Sequence, residues 1–396
     1  VEEEIRPLRQ SELEAAWELE LECLHTPSER RELFLSLDPA RVLGAFVGDR
    51  LVGLAAAARM EQYFGGRAVP MGGVHSVAVA PDRRGRGLAR RLLAGLLAGL
   101  RPRGEAISTL FPATSRPYRA LGWDLAGAMC WRRVAPLALE MLPRAAGVEL
   151  VPVAPAEIAG LAECYAEVAR ATNGFVARSR AFWQAARDHL WRGRSVFAAR
   201  AARGSILGYV VYRQLEGEYT VLGGPRRIAL DEILWRERDA GLALWRLLAS
   251  WAPQVEAILW RGTAEDPLLL LLPEQELGVV AELRWMLRIV DPVLAVEARG
   301  FPEGLEAEAH LELADPVLPE NAGRFVLRVA KGRGALERGG RGDVRLDAGG
   351  LASLYSGWAT PERLAQAGRL AGEPGASRAA LAAAFAGPTP WMPEQF

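Results

Sequence analysis

Apolar residues recur along this chain at two spacings, and the switches between them predict its elements. Leu13, Trp17, Leu21 and Leu24 fall at helical spacing behind Ser11 and Glu14, a capping-box pair, so an amphipathic helix is expected near the start. From Arg41 to Met60 two apolar runs meet at Gly48 and Asp49, the signal of a hairpin. A short strand is expected from Gly73 to Pro81. A basic, glycine-bearing loop follows it, then a helix with Leu88, Leu92, Leu96 and Leu100 on one face, then a strand from Ala106 to Phe111. Together these make an α/β unit.

Pro136 and Pro152 bracket a stretch without a strong period, which reads as a linker. The order of elements then repeats: a helix over Ala156 to Arg170, apolar strands over Ser195 to Ala201 and Ile206 to Tyr212, a strand near Ile228, a helix over Leu242 to Trp251 and a strand over Ala257 to Trp260. An internal duplication is therefore expected. The last hundred residues read differently, with strands over Leu305 to Leu313, Gly323 to Val329 and Asp343 to Leu346, and short helices over Gly349 to Ser356 and Pro361 to Ala367. The end, Gly387 to Phe396, holds three prolines, a tryptophan and a phenylalanine. A solvated tail has a different composition, so this one is expected to dock.

Length and composition set the frame around this pattern. At 396 residues the chain exceeds a single core, and half of it is hydrophobic with a quarter charged, as in globular proteins. No stretch offers the roughly 20 apolar residues of a membrane span, and the first 25 residues are too polar for a signal peptide, so a cytoplasmic protein is expected. The 48 basic and 48 acidic residues balance, which gives no electrostatic reason to expect nucleic acid or an anionic membrane as a partner. Lys331 is the only lysine among the basic residues, as a GC-rich genome would produce. Cys23, Cys130 and Cys164 are odd in number and far apart, which fits reduced thiols. His25, His75, His189 and His310 show no metal spacing, and no metal is expected.

The segment that carries chemistry is Val77-Ala78-Val79-Ala80-Pro81-Asp82-Arg83-Arg84-Gly85-Arg86-Gly87-Leu88-Ala89. A strand delivers the chain to a loop whose glycines let backbone amides face inward, and a helix begins at once. Unpaired N–H groups and the positive end of the helix dipole converge there, which suits a phosphate. Arg84 and Arg86 add charge appropriate to a pyrophosphate.

Arg84-Gly85-Arg86-Gly87-Leu88-Ala89 after this strand resembles the acetyl-CoA loop of the GNAT superfamily, whose spacing is Gln or Arg, two residues, Gly, one residue, Gly or Ala. About thirty residues on, Tyr118-Arg119-Ala120-Leu121-Gly122-Trp123 resembles the Tyr-x-x-Phe-Gly-Tyr or Trp of the same superfamily. A departing CoA thiolate, conjugate acid pKa about 8.5, needs a proton that a neutral phenol can supply, so Tyr118 is the candidate general acid. The whole-chain pattern resembles the Eis (enhanced intracellular survival) family, with its specificity highest over residues 74 to 123. Leu287-Arg288-Ile289-Val290-Asp291 and Leu318-Pro319-Glu320-Asn321 are further, weaker points of likeness.

That resemblance implies an α/β (α+β) fold: a GNAT acetyltransferase domain over 1–137, a second, degenerate GNAT-like domain over 138–290 and a sterol carrier protein 2-like domain over 291–396. It implies acetyl-CoA as co-substrate, with contacts at Val77, Ala78, Val79, Arg84, Gly85, Arg86, Gly87, Leu88, Ala89, Arg90, Ala113 and Thr114. It further implies Tyr118 as proton donor, the C-terminal carboxylate of Phe396 as acceptor, and hexamers. An α-carboxyl with a pKa of about 3.5 is a weak base, so it acts on the amine directly or through a water. The approach Pro112-Ala113-Thr114-Ser115-Arg116-Pro117 departs from the glycine-rich form of some members and bears on the acceptor pocket. The second block has Asp231, Glu232 and Arg236-Glu237-Arg238-Asp239 where a phosphate loop would stand, acidic residues that repel a pyrophosphate.

The acceptor is read as a primary amine of aminoglycoside, polyamine or lysine type. The rival reading is a lipid- or small-molecule-binding carrier with an inactive first domain. His75, Trp17, Phe34, Tyr63, Glu61 and Glu394 are lesser site candidates, each better explained by packing or solvation. The tryptophans of the middle block, such as Trp183 and Trp245, are expected in core or interface.

Overall fold

The computed structural model describes residues 3–202, 204–215 and 226–396. Internal contacts divide it into two compact units. One holds the chain up to Gly127 with Arg284–Pro388 and Gln395–Phe396; the other holds Ala128 to Leu283 and Thr389–Glu394.

The first unit opens with β1 (Glu4–Pro7), α1 (Leu13–Leu24), α2 (Arg31–Leu35), β2 (Val42–Val47), β3 (Arg50–Phe64), β4 (Arg67–Val79), α3 (Leu88–Leu100), β5 (Ile107–Leu110) and α4 (Arg116–Arg119). β1 to β4 form an antiparallel meander, and α3 returns the chain so that β5 lies parallel to β4. Leu88, Leu92, Leu93, Leu96, Leu97 and Leu100 bury the apolar stripe of α3 against this sheet. The hairpin at Gly48 and Asp49 is present, but β3 continues past Met60 to a second turn at Gly65 and Gly66 (φ +57° and +82°), so β4 begins at Arg67 and not at Gly73. The polar residues of this extension hid it: Gln62 is fully buried and accepts a hydrogen bond from Thr109 Oγ1 at 2.8 Å. A Cβ on Gly65 would stand 2.0 Å from the carbonyl oxygen of Gly300, so the turn must carry glycine to admit the third block.

The chain enters the second unit along β6 (Asp124–Val134), continues as β7 (Val148–Pro152), α5 (Ile158–Arg170), α6 (Arg180–His189), β8 (Ser195–Ala201), β9 (Ile206–Leu215), β10 (Arg227–Trp235), α7 (Arg238–Ala249), β11 (Ala257–Gly262) and α8 (Leu268–Leu271), and leaves it along β12 (Gly278–Ile289), whose end pairs with β5. Strands β7 to β10 are antiparallel neighbours in turn, β11 is parallel to β10, and β6 closes on β11. This is the connectivity of β1 to β5 with α7 in the place of α3, which gives the repeated order of elements a structural counterpart. The stretch between Pro136 and Pro152 is not a linker: it makes a 3-10 turn over Pro136–Met141 with Leu139 fully buried, then strand β7. A 3-10 segment this short has no apolar period for a sequence pattern to reveal. Trp183 and Trp245 are buried here.

The third block is α9 (Pro292–Ala298), β13 (Ala307–Ala314), β14 (Gly323–Ala330), β15 (Arg333–Arg338), β16 (Val344–Asp347), α10 (Ala348–Ser356), α11 (Pro361–Gln366), β17 (Leu370–Ala371) and α12 (Ala376–Ala384). Its five strands lie in the order β15-β14-β13-β16-β17. Lys331 and Gly332, both with positive φ (+51° and +68°), make the turn between β14 and β15. Helices α9, α10 and α12 supply Val296, Tyr355 and Leu381, with Phe385 just past the end of α12, against Leu311 and Leu327 of the sheet, around a cavity of about 10 Å³. That is room for a water molecule at most. Cys130 and Cys164 are buried thiols, Cys23 is half-buried, and none is in a disulfide.

Candidate active site

The site grows from a divergence of two strands in the first unit. β4 and β5 pair only over Met71–Gly73 opposite Ile107–Thr109; beyond that, among the described residues, β4 runs on to Val79 with β3 on one side alone. Along this stretch no second strand pairs with β4 among the described residues, which leaves room there for an extended ligand.

Within this open stretch β4 carries one extra residue. Leu54 faces Ala78 and Ala56 faces His75, so Ala55 opposes both Ser76 and Val77. Ser76 takes φ +52°, a conformation that costs a serine free energy and marks the bulge as a place where the backbone is re-aimed. Val77 and Val79 are half-buried on the strand, whereas Ala78 sends its side chain into the core and offers only its backbone. The Val79 carbonyl accepts from Cys23 Sγ at 3.4 Å and from Arg84 Nε at 3.1 Å, which draws the basic loop back over the strand end.

Gly85 and Gly87 both have positive φ (+77° and +76°), and a Cβ on either would meet nothing within 4 Å, so the loop curls around open space. Gly87 is the N-cap of α3 and no side chain caps it, leaving the first-turn amides of Leu88, Ala89 and Arg90 without intrahelical acceptors. The Leu88 side chain itself is in the core. Arg84, Arg86 and Arg90 are exposed around this point. Positive charge, an open helix N-terminus and two glycines in one place suit a pyrophosphate. Ala113 and Thr114 are exposed between β5 and α4, across the divergence from the loop.

Tyr118 sits on α4, a single turn whose exit is tied back to it: the amides of Leu121 and Trp123 both donate to the Tyr118 carbonyl, at 2.9 and 3.2 Å. Its ring is buried and meets the Trp123 ring edge-on, with ring centres 6.2 Å apart. Burial raises the pKa of the phenol above its ordinary value, so it is protonated at neutral pH.

Phe396 lies on the opposite face of the sheet from α3. Side chains at successive strand positions alternate, and the two glycines of the divergence report the two faces: a Cβ on Gly72 would strike Leu100 of α3, and one on Gly73 would strike Phe396 and Met60. The preceding tail docks on the second unit, as the composition led us to expect. The amide of Trp391 donates to Asn173 O at 3.1 Å, its ring packs on Phe175 with centres 4.8 Å apart, and Met392 is fully buried. Glu394 bonds to Arg178 Nε at 2.8 Å and to the Tyr165 hydroxyl at 2.7 Å, so its role is structural in that unit. Arg178 also grips Glu232 with both terminal nitrogens. Burial opposes the charge on Arg178, but Glu232 and Glu394 hold its pKa well above the ordinary value.

His75 stands beside the bulge with Nδ1 2.9 Å from Ser76 Oγ. Burial, with Arg30 and Arg41 adding repulsion, lowers its pKa to about 4, so it is neutral at pH 7. Trp17 and Phe34 pack on each other in the core, ring centres 5.4 Å apart. In the second unit β10 keeps the bulge, with Asp231 between Leu230 and Glu232, but α7 is N-capped at Glu237 and carries Asp239 in its first turn, with no glycine pair in the segment between β10 and α7. Sequence reasoning missed Gly73, Met60 and Ser76; only the Gly72-Gly73 doublet and its neighbours hinted at a close approach. Among the described residues no three His, Cys, Asp or Glu side chains gather as a metal would require, and no helix is long and apolar enough to cross a membrane.

Family models agree with this geometry. Residues 4–126 and residues 174–289 each match an acetyltransferase (GNAT) domain, and residues 292–393 match a sterol carrier protein domain. The fold is similar to a GCN5-related N-acetyltransferase from Anabaena variabilis, with TM-score 0.89 and 30% identity, covering 100% of both chains. It is also similar to Eis1 from Mycobacterium abscessus, with TM-score 0.81 and 25% identity over 99% of this chain and 100% of that one. The N-acetyltransferase Eis of Mycobacterium tuberculosis is 29% identical over 370 residues, 88% of this chain and 86% of that protein.

Proposed function

The chain belongs to the GCN5-related N-acetyltransferases, in the Eis-like form with tandem GNAT domains and a sterol-carrier-like domain, and from that premise we propose that its first domain acetylates a primary amine from acetyl-CoA in a ternary complex. The observation that carries this reading is the uncapped, glycine-preceded terminus of α3 following a strand edge that β5 leaves unpaired, with Phe396 against Gly73 where the two strands part. The domain limits proposed are 1–137, 138–290 and 291–396.

Gly85 to Arg90 present backbone amides and arginine charge to the pyrophosphate, and the fit is supported by the free space beside Gly85 and Gly87. Val77, Ala78 and Val79 pair with the extended pantetheine arm along the open edge of β4, as Ala113 and Thr114 do from the other side. Backbone amides beside Val79, re-aimed by the bulge, hold the thioester carbonyl as charge develops on its oxygen. The carboxylate that Phe396 carries in this sequence takes the proton of the incoming ammonium, directly or through a water. The nitrogen then bonds to the acetyl carbon, the carbon–sulfur bond breaks, and Tyr118 gives its phenolic proton to the departing thiolate.

Aminoglycosides, polyamines and lysine side chains are the acceptor classes proposed. We also propose a cytoplasmic protein that assembles as hexamers; exposed apolar side chains on the second unit, Leu270, Val279 and Val280, are suited to subunit contacts. The test is acetyl-CoA turnover against a panel of these amines with the intact protein, Tyr118→Phe and a form lacking Phe396. Both changes should lower kcat far more than acetyl-CoA affinity. An intact protein that binds acetyl-CoA and acetylates nothing would sink the proposal, and full activity without Phe396 would remove the carboxylate from it.

A further inference from the structure

Two ion-pair clusters surround the segment that carries Tyr118, and neither touches the reacting atoms. At its C-terminal end, Arg119 Nε donates to Asp124 Oδ1 at 3.1 Å, and the other oxygen of Asp124 meets Arg369 Nη1 of the third block at 2.6 Å. Arg369 is itself fixed by Asp347, the N-cap of α10, at 3.0 Å. The Asp124 side chain is 7% exposed, so a partner lost from it leaves a buried charge. A Cβ on Gly349 of α10 would fall 2.3 Å from Arg369 Nη2 and 2.9 Å from Asp124 Oδ2, which shows how closely α10 is pressed to this pair.

The turn after α4 is held from another side. Gly122 (φ +86°) has the Arg288 guanidinium and the Ala348 methyl within 3.0 and 3.1 Å of where its Cβ would be. Arg288 is fully buried and bound through Nη2 to both oxygens of Asp315, at 2.7 and 2.6 Å. Asp315 in turn accepts from the amide of Leu318 at 3.0 Å and from Asn321 Nδ2 at 3.1 Å. The Leu287-to-Asp291 and Leu318-to-Asn321 segments thus converge on one buried pair behind the turn.

We infer that the third block and the end of β12 together serve the transfer step as a brace, with Arg369 and Arg288 acting as positioning residues that fix the Arg116-to-Asp124 segment and through it the Tyr118 hydroxyl. The inference rests on Tyr118 being the proton donor. A four-residue helix has too few internal hydrogen bonds to hold a ring in place unaided. Here Arg119 is bonded to Asp124, whose other oxygen is held by the distant Arg369, and the terminating glycine packs against the distant Arg288. No lipid is required for this task, because the contacts that make the brace are all between side chains and backbone of this chain.

Arg369 is the residue to test because it is partly exposed and Asp124 keeps Arg119 as a partner when it is replaced. Arg369→Gln and Arg369→Lys are compared in the natural background and in Tyr118→Phe, with acetyl-CoA and the amine of the panel that turns over fastest. Arg369→Gln should lower kcat about tenfold or more with the KM for acetyl-CoA unchanged, and lysine should restore part of it. In Tyr118→Phe the same change should alter kcat less than about twofold, because the group it positions is gone. Equal losses in both backgrounds would overturn the brace in favour of general weakening. Hydrogen exchange supplies a readout independent of turnover: the amides of Leu121 and Trp123 should exchange faster in Arg369→Gln while those of α3 do not, and unchanged exchange at these two amides also overturns it. If Tyr118→Phe alone keeps full kcat, the proton-donor reading fails on that result, and the exchange data still decide whether the segment is braced. Gly122→Ala, which drives a methyl toward Arg288, is the second variant and should quicken exchange at the same two amides.

Discussion

Phe396 fills the space that any side chain at position 73 would need: a Cβ on Gly73 would stand 2.9 Å from Cε2 of Phe396 and 2.7 Å from Sδ of Met60. The glycine thus lets the last residue settle where β4 and β5 part.

Gly73→Ala should therefore displace Phe396 without touching the phosphate loop. The expected result is a fall in kcat of about tenfold with acetyl-CoA affinity retained, measured by steady-state kinetics beside calorimetric binding. Gly72→Ala is the control from the other face. Its methyl strikes Leu100 of α3, so it should lower thermal stability instead.

The loop should respond in the opposite kinetic sense. Gly87→Ala puts a methyl into open space but strains the backbone by about 1 kcal/mol, so the KM for acetyl-CoA should rise several-fold while kcat holds. Replacing Arg84, Arg86 and Arg90 with glutamine should raise that KM further and reduce its dependence on salt. A KM indifferent to all four changes would place the cofactor elsewhere.

His75 makes a prediction about acid. Its pKa is lowered by burial from 6.5 to about 4, so below pH 6.5 the unfolded chain takes up a proton that the folded chain refuses. Stability present above pH 6.5 is lost as pH falls toward 4, by up to about 3 kcal/mol. His75→Gln should flatten the melting temperature across that window; an unchanged slope would show that His75 titrates normally.

Arg178 anchors the tail within the second unit. Arg178→Met leaves Glu232 and Glu394 buried without their cation and should destabilise that unit by about 3 to 5 kcal/mol, seen in thermal unfolding. Exchange of the Trp391 amide, which is bonded to Asn173, should quicken at the same time. A variant that melts with the natural protein would refute the anchor.

The sequence showed those parts of the molecule that local chemistry dictates. Leucines of α3 at helical spacing, the Gly85-Gly87 pair and the Tyr118-to-Trp123 turn were readable because each depends on residues within a turn or two of itself. What stayed hidden depends on distant partners. Buried Gln62 reads as polar surface until Thr109 is beside it, so half of the second hairpin was missed. Alanine-rich α12 has too weak an apolar contrast to stand out, although Leu381 and Ala384 bury one side of it. Arg369 and Asp124 are 245 positions apart, and no pattern along the chain joins them. The expectation that the tail docks succeeded because three prolines and two aromatic residues limit what an exposed segment would lose by ordering.

The β14–β15 turn, finally, gives the protein a built-in reporter. Lys331 stands on that turn as the one lysine of the sequence, every other basic position being arginine, whose guanidinium is a poor acyl acceptor. A chain that transfers acetyl groups to amines thus offers its own reaction a single side-chain target. Acetyl found by mass spectrometry on a lysine within these 396 residues can sit only at Lys331, so its occupancy over time would measure stray self-modification without any background from neighbouring sites.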